Sequence, residues 1–259
     1  MKKTALITGA SSGIGKELAK IHAEKGGNLV IIARSGEKLK ALKERLEQDF
    51  NIDVYVIEKD LSKANATKDI YQEVTENNIQ IDYLINNAGF GGVGRFYERD
   101  IETDLSMIDL NLRALTALTY YFLQDFVKRN EGKILNVSST ASLMPGPMQA
   151  VYFATKSYVS SFSNAIAEEL SDTNITVTNL MPGATETNFG KVSGMDKTEM
   201  FKNTASAKTV AKDGYNGMIE GKIDVTSGLS TSQKIMTSLI PLLPKKSILK
   251  QIKKMQDVD

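Results

Sequence analysis

The chain contains no cysteine, and this absence removes several classes of chemistry at the outset. Without thiols the protein has no disulfides, no cysteine nucleophile and no cysteine-rich zinc site. Only one histidine is present, His22, which is too few for a histidine-based metal centre, so we expect no metal site. A chain without disulfides suits a reducing compartment, and we expect a cytoplasmic location.

Net charge and long apolar runs are also scarce. The charge is +1, because 32 basic side chains nearly cancel 31 acidic ones, so no nucleic-acid partner is expected. No apolar run reaches the ~18 residues that a transmembrane helix needs. The start of the chain, Met1-Lys2-Lys3, resembles that of a signal peptide, but Gly9 interrupts the apolar segment before an h-region of ~7–15 residues is complete.

What the sequence does contain is a regular alternation of short apolar runs and helical patterns. Runs rich in Val, Ile and Leu predict strands at residues 4–8, 29–33, 54–58, 83–86, 133–137 and 175–180. Helices are predicted at residues 16–25 and 37–48, after the third strand as far as residue 77, and at 105–128 and 151–170. Continuous apolar strands separated by helices indicate a buried parallel sheet. The predicted fold is therefore α/β, a single Rossmann-like, doubly wound parallel sheet flanked by helices on both faces.

Two segments interrupt this alternation. Residues 182–207 are rich in glycine and polar side chains and follow a strand, where ligands bind in open α/β sheets. We interpret them as a substrate loop that acts as a lid, with a disordered insert as the alternative. Residues 1–228 are then the catalytic domain, and residues 229–259 a C-terminal helical extension. Its lysines allow contact with a membrane surface, but we favour packing on the same domain with the lysines facing water.

Tyr152 and Lys156 stand four residues apart in a predicted helix, so their side chains share one helical face. A phenol titrates near pH ~10 when unperturbed, and a neighbouring ammonium group favours the phenolate. The pair therefore offers an acid/base group that can move a proton to or from an alcohol oxygen. Such pairs are common on amphipathic helices, so the interpretation depends on the other motifs.

A glycine-rich turn, Thr8-Gly9-Ala10-Ser11-Ser12-Gly13-Ile14-Gly15, joins the first predicted strand to the first predicted helix. Glycines let a backbone approach a pyrophosphate, and a helix N-terminus offers free N–H groups to an anion. The same residues fit the Gly-x-Ser-x-Gly pattern of a serine hydrolase, with Ser11 as nucleophile. Against that alternative, the only histidine, His22, lies in the predicted helix just after the turn, whereas a hydrolase triad needs a histidine far downstream, and a hydrolase leaves the Tyr152–Lys156 pair unexplained.

Taken together, these motifs resemble those of the short-chain dehydrogenase/reductase family over about residues 3–225. They occur in the family's order along the chain. The matching positions are Gly9, Gly13 and Gly15 in the glycine turn, Asp60-Leu61 near the adenine, Asn86-Asn87-Ala88-Gly89 after the fourth strand, the catalytic tetrad Asn111, Ser139, Tyr152 and Lys156, and Pro182-Gly183 with Thr187 beside the nicotinamide.

The resemblance implies a role for each of these residues. Tyr152 would be the general acid in reduction and the base in oxidation, and Ser139 would hydrogen-bond the substrate carbonyl. Lys156 would lower the pKa of Tyr152 and bind the nicotinamide ribose, while Asn111 would hold a water that links Lys156 to solvent. The implied cofactor contacts are Gly9, Ser11, Ser12, Gly13, Ile14, Gly15, Arg34, Ser35, Asp60, Leu61, Asn87, Ala88, Gly89, Tyr152, Lys156, Pro182, Gly183, Thr185 and Thr187.

The end of the second predicted strand bears on the choice of dinucleotide. NAD-dependent enzymes usually place an acidic residue there, whereas this chain has Ala33-Arg34-Ser35. A guanidinium group suits a 2′-phosphate because it donates paired, charge-assisted hydrogen bonds. We predict NADP(H) rather than NAD(H), with Arg34 and Ser35 as contacts, although Ser12 stands where many NADP-preferring relatives carry a second basic residue.

The expected function is that of an NADP(H)-dependent carbonyl reductase or alcohol dehydrogenase, acting on a ketone or aldehyde or on the corresponding alcohol. Residues 90–96 and 143–151 and the loop after Pro182 suggest an apolar, lipid-like, steroid-like or 3-oxoacyl substrate. The side chains that carry this expectation are Leu143, Met144, Pro145, Met148 and Phe189.

Two further alternatives remain at this stage. One is a non-enzymatic NADP(H)-binding sensor or scaffold on the same fold, and the other is an epimerase or dehydratase. Relatives pair through two long helices, here residues 105–128 and 151–170, so the resemblance implies a homodimer or homotetramer.

Overall fold

A parallel β-sheet of seven strands forms the centre of the protein. The computed structural model describes residues 2–201, 203–230, 233 and 244–256. Its strands are β1 (Thr4–Thr8), β2 (Asn28–Ala33), β3 (Val54–Glu58), β4 (Tyr83–Asn86), β5 (Gly132–Val137), β6 (Ile175–Pro182), β7 (Thr185–Glu186), β8 (Ala205–Ser206) and β9 (Asp224–Ser227). The sheet has the order β3-β2-β1-β4-β5-β6-β9, while β7 and β8 form a separate parallel pair.

Helices cover both faces of this sheet. They are α1 (Gly13–Glu24), α2 (Gly36–Asp49), α3 (Ala66–Glu76), α4 (Ile101–Ile108), α5 (Leu115–Arg129), α6 (Ala150–Glu169), α7 (Asn188–Ser193), α8 (Ala207–Glu220) and α9 (Lys245–Gln256). Helices α1, α2 and α8 pack on one face, and α3, α5 and α6 pack on the other.

The central strands are apolar throughout because each contributes to two cores. In β1, Ala5 and Ile7 belong to the core under α1, whereas Leu6 belongs to the core on the opposite face. All three side chains are fully buried, as the period of two along a strand requires in a sheet covered on both sides. The predicted fold class is confirmed.

The strand order reverses between β1 and β4. The chain leaves β1 towards β2 on one side and later places β4 on the other side of β1. Helices therefore depart in opposite directions at the carboxyl ends of these two strands, and a crevice forms between them.

The predicted helix over residues 105–128 is not continuous. It consists of α4, a π-helical turn at Asp109–Ala114, and α5. The turn contains Asn111, whose side chain is 2% exposed. A single π-turn inside a helix admits an extra residue and redirects side chains, and such turns often occur at functional sites.

The structure also adds α8 and β9 to the predicted elements. Strand β9 is short and mostly polar, with the sequence Asp-Val-Thr-Ser, so a search for apolar runs misses it.

The segment predicted as a lid or a disordered insert is folded in the described residues. It contains β7, α7, two short 3₁₀ turns at Met195–Lys197 and Glu199–Phe201, and β8.

Helix α9 packs against the second of these turns, with Ile252 and Gln256 buried. The rest of the predicted extension, residues 231–232, 234–243 and 257–259, lies outside the described residues. Across the described helices, none is long and apolar enough to cross a membrane.

Candidate active site

A cleft of about 510 Å³ opens at the carboxyl ends of the strands, where the strand order reverses. The glycine turn after β1 and the ends of β2 and β3 line one part of it. The segments after β4, β5 and β6 and the start of α6 line the other part. All the predicted site residues except Gly15 and Asn111 line this cleft.

Ser139, Tyr152 and Lys156 meet in the cleft. Ser139 is the second residue after β5, and the other two side chains project from the first two turns of α6. Tyr152 and Lys156 are 7% and 6% exposed, and the Ser139 hydroxyl lies beside the Tyr152 phenol. Lys156 Nζ donates a hydrogen bond to the Val137 carbonyl at 2.9 Å and lies 5.9 Å from the centroid of the Tyr152 ring.

Burial determines the protonation of both groups. It raises the pKa of the Tyr152 phenol to about 12, with the neighbouring Ser139 hydroxyl acting in the opposite direction. It lowers the pKa of the Lys156 ammonium group to about 8. Loss of hydration thus dominates the pKa of Tyr152 in this structure, and the expected lowering of that pKa by Lys156 stays a prediction. At neutral pH the phenol carries its proton and most of the lysine is cationic.

The Asn111 side chain does not reach the cleft. Its Oδ1 accepts a hydrogen bond from Phe90 N at 3.1 Å, and its Nδ2 donates to the Phe90 carbonyl at 2.9 Å. Nδ2 also contacts Thr155 Oγ1 at 3.1 Å. The side chain thus connects the segment after β4 to the helix that carries Tyr152, and its proposed water-holding role stays a prediction.

The glycine turn is fastened to the segment after β4. The Asn87 and Ala88 amides each donate to Thr8 Oγ1 at 3.0 Å, and Asn87 Nδ2 donates to the Thr8 carbonyl at 2.9 Å. A Cβ atom on Gly15 would collide with Asn87 Nδ2. Gly15 is therefore needed for the close approach of α1, and its predicted contact with the cofactor stays a prediction.

Positive charge is concentrated where β2 and β3 end. Arg34 and Ser35 line the cleft there, and so do Lys38 on α2 and Lys59 after β3. Burial alone would raise the pKa of the nearby Asp60 carboxyl, but hydrogen bonds from Ser62 and the charges of Arg34 and Lys63 hold it below the usual value. Lys38 and Lys59 were missed from the sequence. Lys38 lies in the first turn of α2, three residues after Ser35. This short distance from Ser35 along the chain could have identified Lys38 as a further residue of the cleft.

Comparison with known proteins agrees with this arrangement. The sequence matches the protein family described as short chain dehydrogenase over residues 3–198. The chain belongs to the short-chain dehydrogenase family. It is 34% identical over 195 residues to an NADP-dependent 3-hydroxy acid dehydrogenase of Schizosaccharomyces pombe, covering 73% of this chain and 74% of that protein.

Two further relatives illustrate the range of the family. A very-long-chain 3-oxoacyl-CoA reductase of Rattus norvegicus is 32% identical over 194 residues, which cover 73% of this chain but only 61% of that protein. This chain therefore spans less than two thirds of that relative's length. A solved structure of a short-chain dehydrogenase from Sphingobium yanoikuyae in complex with NADPH is 29% identical, with a TM-score of 0.84 over 99% of each chain.

The other end of the cleft in this short-chain dehydrogenase is mainly apolar. Its lining there includes Phe90, Phe153, Phe189, Val192, Met195 and Phe201. Of the apolar side chains expected to form the wall, only Phe189 lines it. Leu143, Met144, Pro145 and Met148 do not, because this segment presents Gln149 to the cleft instead and Met144 packs within the core around Tyr152. Gln149 is 3% exposed, and its Oε1 has no hydrogen-bond partner among the described residues.

Proposed function

We propose that this short-chain dehydrogenase is an NADP(H)-dependent oxidoreductase that reduces a ketone or aldehyde to an alcohol. The observation that carries the proposal is one cleft with two different ends. A protonated phenol, a serine hydroxyl and a buried ammonium group meet at one end, and a cluster of cationic side chains lines the other. The first set suits proton transfer to a carbonyl oxygen, and the second suits an anionic cofactor.

The dinucleotide fits the residues that line the cleft. The turn over residues 9–14, Asn87 and Gly89 would hold its phosphates and ribose, and Thr185 and Thr187 would lie beside the nicotinamide. When bound, the reduced nicotinamide supplies a hydride to the carbonyl carbon.

The side chains of this protein supply the proton and orient the substrate. The Ser139 hydroxyl hydrogen-bonds the carbonyl oxygen and directs it towards Tyr152. The phenol donates its proton to that oxygen as negative charge develops on it. The Lys156 ammonium group stabilises the phenolate that forms, at a site where burial has already removed water. Because its pKa is raised to about 12, the phenol is protonated at neutral pH, which is the form that serves as the acid in reduction.

Two observations support NADP(H) over NAD(H). Arg34, Lys38 and Lys59 all line the end of the cleft at β2 and β3. The Schizosaccharomyces pombe relative is described as NADP-dependent, and the Sphingobium yanoikuyae structure contains NADPH. The apolar side chains at the opposite end support an apolar, lipid-like or 3-oxoacyl substrate, a class that includes the substrate named for the Rattus norvegicus relative.

The proposal is tested by following NADPH oxidation with a panel of ketones, aldehydes and 3-oxoacyl thioesters. We expect turnover of apolar carbonyl compounds by the wild-type protein and almost none by Tyr152→Phe, with NADPH binding retained in both. Stoichiometric NADPH binding without turnover across the panel would favour a sensor or scaffold. Activity confined to small polar sugars would refute the substrate class but not the reaction.

We also propose that residues 1–228 are the catalytic unit and that the protein self-associates as a homodimer or homotetramer. Ile101, Leu105 and Ile108 form an apolar stripe on α4 and are 53%, 46% and 38% exposed. A second copy packed against this stripe would remove it from water. Sedimentation of Leu105→Glu should then show a smaller assembly than the wild type.

A further inference from the structure

The glycine-rich segment after β4 lies directly against Tyr152. A Cβ atom on Gly91 would be 3.1 Å from Tyr152 Cδ2, 3.1 Å from Phe189 Cζ and 2.8 Å from Met195 Cε. The backbone at Gly91 is therefore part of the wall around the phenol. A displacement of this segment by about an ångström would change the position of a carbonyl group relative to Tyr152.

Two side chains from outside the segment fix it on either side of Gly91. On one side, Asn111 hydrogen-bonds both the amide and the carbonyl of Phe90. On the other side, Arg99 Nη1 donates to the Val93 carbonyl at 3.0 Å. The Arg99 guanidinium also lies so close to Gly92 that any Cβ atom there would collide with it. The conformation at Gly91 thus depends on where Arg99 is held.

A buried carboxylate holds Arg99. Arg99 Nε contacts the two carboxylate oxygens of Asp104 at 2.9 and 3.1 Å, and Nη2 contacts Oδ1 at 2.6 Å. The two side chains are 14% and 2% exposed. Several hydrogen bonds between a planar guanidinium and a carboxylate fix the orientation of the arginine as well as its position. Asp104 lies on α4, and Asn111 lies on the π-helical turn that continues it, so one stretch of helix provides both anchors.

The segment connects onward to the rest of the substrate end of the cleft. Val93 N donates to the Ser193 carbonyl at the end of α7 at 3.2 Å. Gly94 N donates to the Met148 carbonyl at 2.8 Å, just before α6 begins. A change at Arg99 is thereby transmitted to α7 and to the turn that precedes Tyr152.

We propose that Arg99 and Asp104 are positioning residues that set the geometry of the substrate end of the cleft through residues 91–93. The kinetic part of this inference rests on the proposed carbonyl reduction. A buried ion pair adds little net stability compared with apolar side chains of the same size, but its fixed geometry orients a loop well.

Two variants test the proposal. Asp104→Asn removes the charge and keeps the shape, whereas Arg99→Lys keeps the charge but loses the planar set of donors that joins Asp104 to Val93. For both we expect kcat/KM for the carbonyl substrate to fall by about tenfold to a hundredfold, since misplacing reacting groups has effects of this size. The dissociation constant for NADPH, measured by fluorescence titration, should not change. Amide hydrogen exchange should become faster in residues 90–94.

Asp82→Asn is the matched control. Asp82 is also a buried carboxylate paired with a basic side chain, Lys3, but it lies at the opposite end of the sheet. It should lower Tm and leave kcat/KM unchanged. If Asp104→Asn and Arg99→Lys behave in the same way, the pair is only structural and the proposal is wrong. A parallel loss of NADPH affinity would also overturn it.

Hydrogen exchange separates this inference from the proposed function, because it needs no turnover. Faster exchange in residues 90–94 of a protein that reduces no carbonyl compound would support the loop positioning and refute the reaction. Unchanged exchange and unchanged kcat/KM in variants of an active reductase would refute the positioning alone.

Discussion

The two ends of the parallel sheet bury polar side chains in different ways. At the amino end, His22 is 2% exposed and its Nε2 lies 3.1 Å from the Lys3 carbonyl. Because a carbonyl only accepts, Nε2 carries the proton, and Nδ1 accepts from the Tyr215 hydroxyl at 2.9 Å. Asp82 accepts from Thr4 N at 2.8 Å and pairs with Lys3. Both nitrogens of the neutral His22 ring therefore have hydrogen-bond partners, and the Asp82 carboxylate has a cationic partner.

At the carboxyl end, two buried polar groups have less complete sets of partners. The Lys156 ammonium group is buried against a neutral carbonyl, with no carboxylate partner among the described residues. The Tyr152 phenol is buried with a single serine hydroxyl beside it. The contrast indicates that His22 and Asp82 at the amino end stabilise the fold, whereas burial of Tyr152 and Lys156 at the carboxyl end reduces stability and leaves these two groups available to a ligand.

The largest expected effect is a difference in kcat between variants of two buried tyrosines, Tyr152 and Tyr215. Tyr152→Phe should lower kcat by between about a hundredfold and ten thousandfold, because it removes the general acid. Tyr215→Phe should leave kcat unchanged and lower the free energy of unfolding, because His22 loses its partner. Steady-state kinetics and urea unfolding of both variants make the comparison. An equal loss of kcat in the two variants would show that Tyr152 acts through the fold alone.

Two lysines should differ in the sign of their effect on stability. The pKa of Lys156 falls from 10.5 to about 8 on burial, which corresponds to a cost of about 3 kcal/mol at pH 7. Between these two pH values the unfolded chain binds a proton that the folded chain does not, so wild-type stability rises with pH there. We therefore expect Lys156→Met to be inactive and to have a higher free energy of unfolding than the wild type at pH 7. Its free energy of unfolding should not rise between pH 8 and pH 10.5 as that of the wild type does.

Lys3→Met is the counterpart at the amino end. It should lower the free energy of unfolding, because the buried Asp82 carboxylate loses its cationic neighbour. Urea unfolding at pH 7 and pH 10 measures both lysine variants. A Lys156→Met protein that is less stable than the wild type at pH 7 would contradict this account of the carboxyl end.

The end of the cleft near β2 should show a smaller, cofactor-specific effect. Arg34→Ala should raise the KM for NADPH by about tenfold or more, since a hydrogen bond to a charged group contributes about 1.5–3 kcal/mol, and should leave the KM for NADH unchanged. Arg45→Ala is a suitable control, because Arg45 is exposed on α2, the helix that follows Arg34, and pairs with Asp49 at the surface. An unchanged KM for NADPH in Arg34→Ala would remove the basis for NADP(H) preference.

The smallest expected effect is the acid sensitivity of His22. Burial lowers the pKa of this imidazole, and the backbone hydrogen bonds and the Asp82 charge that raise it do not compensate. The folded state holds the ring neutral while the unfolded chain takes up a proton, so stability is lost as pH falls below ~6.5, by at most ~1.4 kcal/mol per pH unit. His22→Gln should remove this slope between pH 5 and 7. The chain has one histidine, so a slope that persists would assign the effect to other groups.

The features that could be predicted from the sequence are those that depend on residues close together in the chain. The Tyr152–Lys156 pair follows from the helical period, and the glycine turn follows from the junction of a strand with a helix. The contribution of Asp104 could not be predicted in this way, because the Arg99–Asp104 contact matters only through Val93 and Tyr152, which the fold brings together. For the same reason, nothing local indicated that the segment before α6 presents Gln149 rather than Met148 to the cleft.

The short β7–β8 pair has a consequence for how substrate preference can change. Ala205 N donates to the Ala184 carbonyl at 2.9 Å, next to the paired residues Thr185 and Ala205, so both ends of the intervening segment are tied to each other. The chain therefore enters and leaves this segment at one place, just beyond the carboxyl end of β6. Replacing its interior with a longer or shorter sequence that keeps the Val93–Ser193 hydrogen bond would enlarge or shrink the chamber beside Tyr152 without altering the strands of the sheet.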